Sequence, residues 1–191
     1  KEFPGVPNVG VFDTEFHQTM PREAYLYAIP MEFYKKHSIR KYGFHGTSHN
    51  FVAHASAEFL GQDYDKTNLI TCHLGNGCPL SALKDGVRVD TSIGLTPPDG
   101  FMMGTRSRGV HPSILTYLMK KCDISPDEMN TILNKKSGLL GISGVSNDNR
   151  DVAAEAEKGN HRAQLSIDMQ RYQILKFVGS YVAAMNGVDA I

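Results

Sequence analysis

Tryptophan is absent from the 191-residue chain, cysteine occurs only three times, and neither sign of charge is in excess, with Lys+Arg and Asp+Glu at 20 each. That balance argues against a nucleic acid or an acidic lipid surface as a partner recruited by bulk charge. Cys72, Cys78 and Cys122 are odd in number and form no CxxC pair, so a disulfide scaffold is excluded and reduced thiols in a cytoplasmic compartment are expected. No run approaches the ~20 apolar residues needed to cross a bilayer, and the start of the chain has neither the charged nor the apolar region of a signal peptide, so no membrane partner is expected. Repeats, low-complexity tracts and linkers are missing as well. What is there, 41% hydrophobic residues, 21% charged residues and 18 glycines, suits one large globular domain or parts of two.

Local patterns divide the chain into short strands and longer helices. Asn8 to Thr14 reads as an apolar strand entering a polar turn, and Asn68 to His73 as a buried strand. A hairpin follows, Leu80 to Lys84 and Val87 to Thr91, joined by Asp85-Gly86, a dipeptide suited to the positive φ angles of a tight turn. Ser48 to Leu60 is expected to be helical, with Phe51, Ala55 and Phe59 forming its apolar stripe. Pro112 starts another helix. Ser125-Pro126-Asp127-Glu128 combines an N-cap, a proline at the first helical position and a capping-box glutamate, with Gly138 as the stop. The longest helix, Asn160 to Asn186, sets Leu165, Met169, Tyr172, Leu175, Val178, Val182 and Met185 at steps of three and four, a stripe expected to face a core. Gly187 then reads as a helix stop before a strand just beginning, and both ends of the chain look cut. Strands, hairpin and helices together make α/β or α+β the expected class.

Several polar clusters have chemical promise. His73-Leu74-Gly75-Asn76-Gly77 follows an apolar strand, and its glycines allow backbone N–H groups to curl toward a phosphate; a plain strand-to-strand turn is the alternative. The spacing is that of neither a dinucleotide-binding nor a Walker loop. His45 and His49 stand four apart, as zinc ligands on a helix do, but the glutamate of HExxH is lacking. Gly46-Thr47-Ser48 further suggests that His45 precedes the helix while His49 lies within it. Gly104-Thr105-Arg106-Ser107-Arg108 sets two arginines beside small hydroxyl residues, which suits bidentate recognition of phosphate or carboxylate, with a solvated loop charge as the alternative. Asp13 ends the first expected strand, where α/β proteins often place functional groups, and Asp148-Asn149-Arg150 reads first as a helix N-cap.

Taken together, four blocks resemble the signature segments of the acetate kinase family, in family order. They are Val11 to Pro21 (VFDTEFHQTMP), Tyr42 to His49 (YGFHGTSH), His73 to Gly77 (HLGNG) and Met102 to Ser107 (MMGTRS). The resemblance extends over essentially the whole chain. It implies a ribonuclease H-like α/β domain of the actin, Hsp70 and sugar-kinase type, incomplete here, with residues 1–15 ending an N-terminal domain and residues 16–191 forming most of a C-terminal nucleotide-binding domain. The activity implied is reversible transfer of the γ-phosphoryl of ATP to acetate, giving acetyl phosphate and ADP, with Mg²⁺, in a cytoplasmic enzyme that is a homodimer at full length.

Carried over residue by residue, the resemblance assigns the catalytic aspartate to Asp13 and the charge-stabilising donors to His45 and Arg106; because acetate is already an anion at neutral pH, Asp13 is expected to be a Mg²⁺ or water-orienting ligand and not a proton acceptor. It assigns the phosphate loop to His73, Leu74, Gly75, Asn76 and Gly77, the adenosine side to Asp148, Asn149 and Arg150, and the acyl pocket to Phe44 and Pro97. A second phosphate loop and a substrate arginine would precede this chain, and a further adenosine loop and a Mg²⁺-associated glutamate would follow it, so the segment alone is expected to be inactive. The family usually continues Gly-Asp-x-Asp-Pro where this chain has Arg108-Gly109-Val110-His111-Pro112, and Pro79 replaces a small polar residue. Alternatives are a propionate or other short-chain acyl kinase, a zinc hydrolase built on His45 and His49, and a noncatalytic anion-binding domain.

Overall fold

The computed structural model describes residues 3–97 and 99–191. Its centre is a three-stranded antiparallel sheet in the order β1 (Leu69–Cys72), β2 (Leu80–Lys84) and β3 (Val87–Thr91). Leu69 pairs with Leu83 and Cys72 with Leu80 across β1 and β2. The β2–β3 hairpin has the expected boundaries, and Asp85 and Gly86 turn it at φ +49° and +72°. Ala190 adds a parallel bridge to Leu69, so chain beyond Gly187 does start to pair with the sheet.

Side chains that alternate along the strands supply two cores. Ile70, Leu80 and Ala82 pack with Ile93, Phe101, Met103, Tyr181 and Met185. Leu69 and Leu83 belong instead to a separate cluster with Phe16 and Ala53. The helices in chain order are α1 (Arg22–Tyr25), α2 (Met31–His37), α3 (Gly46–Leu60), α4 (Pro112–Lys121), α5 (Pro126–Lys135), α6 (Gly138–Ser143), α7 (Asn149–Glu157) and α8 (His161–Met185). Met102, Leu139, Val152, Ala163 and Ile167 form a third cluster where α6 and α7 lie against α8. Capping follows the sequence: Ser125 and Glu128 form the complete capping box of α5, and the Asn160 carboxamide oxygen caps α8 by accepting from the N–H groups of Arg162 and Ala163.

Four sequence expectations need correction. Asn8 to Thr14 is not a strand; the chain has no regular structure there before a 3-10 turn at Glu15–His17, and Val9, Val11 and Phe12 are exposed. A strand needs a neighbouring backbone to complete its hydrogen bonds, and none among the described residues lies alongside. The face of α3 that packs inward holds His49, Ala53 and Ala57, while Phe51 and Phe59 are 73% and 91% exposed. Alanine admits close approach to β1 and the 3-10 turn where phenylalanine would not fit.

In α8 the expected stripe is right at Met185 and partly right at Val178 and Val182, which pack on the first core, and at Met169, on the third. Leu165, Tyr172 and Leu175 are exposed, and Ala163, Ser166, Ile167, Gln170, Gln173 and Tyr181 are buried in addition. Gln170 and Gln173 are polar but face inward because they satisfy loop backbone: the Gln173 carbonyl accepts from Met102 N–H at 2.8 Å. Gly138 does not end α5, which stops at Lys135, but opens α6 at φ +65°.

Candidate active site

Asp13 and His45 are joined through backbone. His45 occupies the N-cap position of α3 in a left-handed conformation, φ +56°, one that costs a non-glycine residue roughly 1–3 kcal/mol and requires surrounding structure to hold it. Asp13 holds it. The Asp13 carboxylate accepts from His45 N–H at 2.7 Å, and its carbonyl accepts from Gly46 N–H at 2.8 Å. On the other side, the buried His17 ring is hydrogen-bonded to the Phe44 carbonyl at 2.9 Å. The histidine block is thus gripped at three consecutive residues.

The His45 side chain leaves that anchor to stack on His73, ring centroids 4.3 Å apart. His73 is itself oriented by Ser48, whose hydroxyl lies 2.9 Å from its Nδ1. Burial depresses the His45 pKa, and His73 and Arg106 add to the effect while Asp13 opposes it, so the ring is neutral at pH 7. Its Nε2 points at the glycine turn: a Cβ built on Gly77 would lie 2.9 Å from His45 Nε2 and 3.3 Å from Arg106 Nη1. Two donors from segments far apart in sequence therefore meet at one bare stretch of backbone.

Arg106 is delivered by a pinned turn. Met103 N–H donates to the Arg106 carbonyl at 3.1 Å, Ser107 N–H to the Leu133 carbonyl at 2.9 Å, and Thr105 Oγ1 to the Asn134 carbonyl at 2.9 Å. The segment therefore rests on the end of α5; Arg106 is half-buried, whereas Arg108 is exposed and fits the solvated-charge alternative.

His73 to Gly77 connects antiparallel β1 and β2, so the strand-to-strand reading is correct as topology. It does not exclude an anion site, although Gly75 N–H is already committed to the Gly77 carbonyl at 3.2 Å. Asn76 meets Gly104 at a second junction. A Cβ on Gly104 would sit 2.5 Å from Asn76 Oδ1 and 2.8 Å from the Asn147 carbonyl. Beyond it opens a cleft of about 390 Å³ lined by Leu74, Gly75, Asn76, Gly104, Asn147 and Arg150, among others. Its size is within the ~300–1,000 Å³ range of small-molecule sites.

Asp148 and Asn149 also line this cleft, and the N-cap reading holds: the Asp148 carboxylate accepts from Arg150 N–H at 2.9 Å. The Arg150 guanidinium folds back onto the same carboxylate, holding its pKa down at about 2. Phe44 packs partly on the first core, and the residues before it, Tyr42 and Gly43, donate to the Gly94 carbonyl three residues from Pro97.

The two histidines of the zinc reading do not converge. His49 is buried inside α3 with Nδ1 2.7 Å from Thr71 Oγ1, and no group of three metal-ligating side chains occurs among the described residues. No helix among them is long and apolar enough to cross a membrane. Two features escaped sequence reasoning: the Ser48–His73 clamp, which the i,i+25 separation hides, and the hydroxyl of Tyr27 beneath the Pro97 segment, for which a lone tyrosine gives no signal.

This arrangement has close counterparts. The chain is 57% identical to the acetate kinase of Natranaerobius thermophilus over 98% of its length, covering 47% of that protein. It superposes on the crystal structure of Porphyromonas gingivalis acetate kinase with a TM-score of 0.95 at 51% identity, covering 97% of this chain and 47% of the other. It superposes on a propionate kinase from Francisella tularensis with a TM-score of 0.89 at 50% identity, over 94% and 46%. The chain thus spans about half the length of the relatives it matches, and its small sheet with helices is part of the ribonuclease H-like α/β domain of the actin and Hsp70 type. With every one of residues 1–191 matched by the family's sequence profile, and the same backbone found in its solved members, the chain belongs to the acetokinase family.

Proposed function

We propose that the full-length protein transfers the γ-phosphoryl group of ATP reversibly to acetate, forming acetyl phosphate and ADP. The observation that carries this reading is the convergence of His45 Nε2 and Arg106 Nη1 on Gly77, whose neighbours Asn76 and Cys78 line a cleft of small-molecule size. A loose phosphoryl-transfer transition state spreads negative charge over three equatorial oxygens, and preorganised donors facing that position stabilise it more than the ground state. His45, neutral, offers an N–H; Arg106 offers a planar fork of donors. His73, Leu74, Gly75, Asn76 and Gly77 hold the phosphates, while Asp148, Asn149 and Arg150 flank the adenosine side. Acetate, with a carboxyl pKa of roughly 4, is already ionised at neutral pH, so the forward reaction needs no base to activate it.

Asp13 is exposed and keeps one carboxylate oxygen without a hydrogen bond among the described residues, which suits a Mg²⁺ ion that takes one or two carboxylates plus phosphate oxygens and waters. When bound there with the nucleotide, Mg²⁺ neutralises phosphate charge. Phe44 and Pro97 supply apolar walls for the acyl group. Residues 1–15 are read as the end of an N-terminal domain and residues 16–191 as most of the nucleotide-binding domain of a cytoplasmic homodimer.

The test is hydroxamate capture of acetyl phosphate by the full-length protein supplied with ATP, Mg²⁺ and acetate. Acetate-dependent hydroxamate formation is expected, and its absence in folded protein refutes the reading. Propionate is the second substrate to assay, because a propionate kinase is among the structures this chain resembles and one methylene is worth only ~1–3 kcal/mol in an apolar pocket.

A further inference from the structure

Pro97 lies in a segment with little secondary structure, between β3 and the loop of Arg106, yet two of its neighbours are tied to one distant atom. The Tyr27 hydroxyl accepts from Leu95 N–H at 2.8 Å and donates to Asp99 Oδ2 at 2.9 Å. It therefore bridges the positions on either side of Pro97. The Asp99 carboxylate is fixed at its other oxygen, which accepts from Gly100 N–H at 2.8 Å. Close approach is required as well: a Cβ on Gly94 would collide with both the Tyr27 hydroxyl and the Asp99 carboxylate. The carbonyl of this same Gly94 accepts from Tyr42 N–H at 3.1 Å and Gly43 N–H at 3.3 Å, directly ahead of Phe44.

Both residues proposed as acyl-pocket walls are thus hung from the backbone around residue 94, and Tyr27 pins the side that carries Pro97. We infer that Tyr27 is a positioning residue for acyl-group selection, setting the depth of the Pro97 wall relative to Phe44 through its two hydrogen bonds. This rests on the acyl kinase reading above. Burial pushes the Tyr27 hydroxyl up to about 12, so it remains a protonated donor throughout the range in which a kinase is assayed. Leu95, Asp99, Ser107 and Arg108 share a shallow hollow of about 290 Å³ with Tyr27, so the tie also borders the segment that follows Arg106.

Tyr27→Phe in the full-length enzyme removes the hydroxyl and little else. The loss of one hydrogen-bonding group corresponds to a ~3–10-fold change in the quantity it controls. The expected result is a rise of that size in the acetate KM, a smaller change in kcat, an unchanged ATP KM, and a shift of at least ~3-fold in the acetate-to-propionate ratio of kcat/KM. In a Pro97→Ala background the same substitution should have less than half its effect, because the wall it positions is gone.

A purely structural role would lower the melting temperature and scale all rates together without moving the ratio. A folded Tyr27→Phe enzyme with wild-type acetate KM and ratio, or effects fully additive with Pro97→Ala, overturns the inference. Where Tyr27→Phe does not fold, Asp99→Asn, which weakens one of the two bonds, is judged by the same criteria. A wild-type protein that phosphorylates no short acyl substrate refutes the underlying kinase reading, whereas an active one with an unaltered ratio refutes only the role of Tyr27.

Discussion

Acidification should destabilise this protein through two histidines that lie outside the proposed donor pair. His17 and His49 are fully buried, with ring centroids 5.7 Å apart. Each satisfies one nitrogen, His17 on the Phe44 carbonyl and His49 on Thr71 Oγ1, and the other nitrogen of each meets no hydrogen-bond partner among the described residues. Burial lowers both pKa values, that of His49 from 6.5 to about 3, with the positive charge that His17 would carry as the next cause. The folded state therefore binds fewer protons than the unfolded state below pH 6.5. The stability that His49 contributes as a neutral ring is complete above the unfolded pKa and is lost as the pH falls through it toward the folded value.

At about 1.4 kcal/mol per pKa unit, His49 alone costs roughly 2 kcal/mol between its unfolded pKa of 6.5 and pH 5, and His17 adds in the same direction. The assay is urea unfolding of full-length wild type and His49→Asn at pH 7 and pH 5. Asparagine places an amide near the position of Nδ1 and binds no proton, and any cavity it leaves costs the same at both pH values. Wild type should lose about 2 kcal/mol more than the variant on acidification. Parallel losses, within ~0.5 kcal/mol, would mean that His49 is not held neutral by burial and would refute the reasoning.

Three other outcomes are expected. Arg106→Ala and His45→Ala should each lower kcat at least ~10²-fold with little change in ATP affinity, since the lost donors act where charge develops; near-normal turnover in steady-state assays would remove them from the chemistry. Gly43→Ala should destabilise by at least ~2 kcal/mol, because φ is +76° and the added Cβ would lie 2.6 Å from the His17 ring and 2.8 Å from Thr91 Cγ2; an unchanged melting temperature would show that neighbours yield freely. Arg108→Gly should stabilise by ~0.5–1 kcal/mol, because Arg108 sits at φ +97°, a conformation that favours glycine, and denaturant unfolding reads the sign directly.

How far the sequence foretold the molecule depended on whether a pattern needed a partner. The hairpin turn at Asp85-Gly86 and the capping box at Ser125 and Glu128 are satisfied within a few residues of themselves, and they appear where expected. Apolar patterns say only that a surface wants cover. Phe51 and Phe59 on α3 and Tyr172 and Leu175 on α8 have helical spacing but face outward, while the contact surfaces include Ala53, Ala57 and two glutamines that the apolar pattern did not mark. Val9, Val11 and Phe12 fail as a strand for the same reason, since a strand exists only with a neighbour. The candidate site blocks at Asp13, His45, His73 to Gly77 and Arg106 were picked out by family resemblance, whereas the contacts that orient them were not: Ser48 on His73, Asp13 under His45 and Tyr27 beneath the Pro97 segment span 25 to 72 positions.

Those contacts share a physical logic that links fold to chemistry. The site is assembled where backbone from one segment meets side chains from another: Gly77 against His45 and Arg106, and Gly104 against Asn76. At both points a single Cβ would crowd the opposing group, so these side chains can approach the main chain so closely only because the side chain there is a hydrogen atom. The left-handed conformation at His45 makes the complementary sacrifice, accepting local strain so that its ring leaves the helix terminus toward the glycine turn instead of lying along α3 as His49 does. Asp13 offsets that strain with two hydrogen bonds from consecutive N–H groups. The same aspartate is therefore proposed both to hold the imidazole in place and to present a free oxygen to the metal, so the positions of the donor and of the cation are set by one residue.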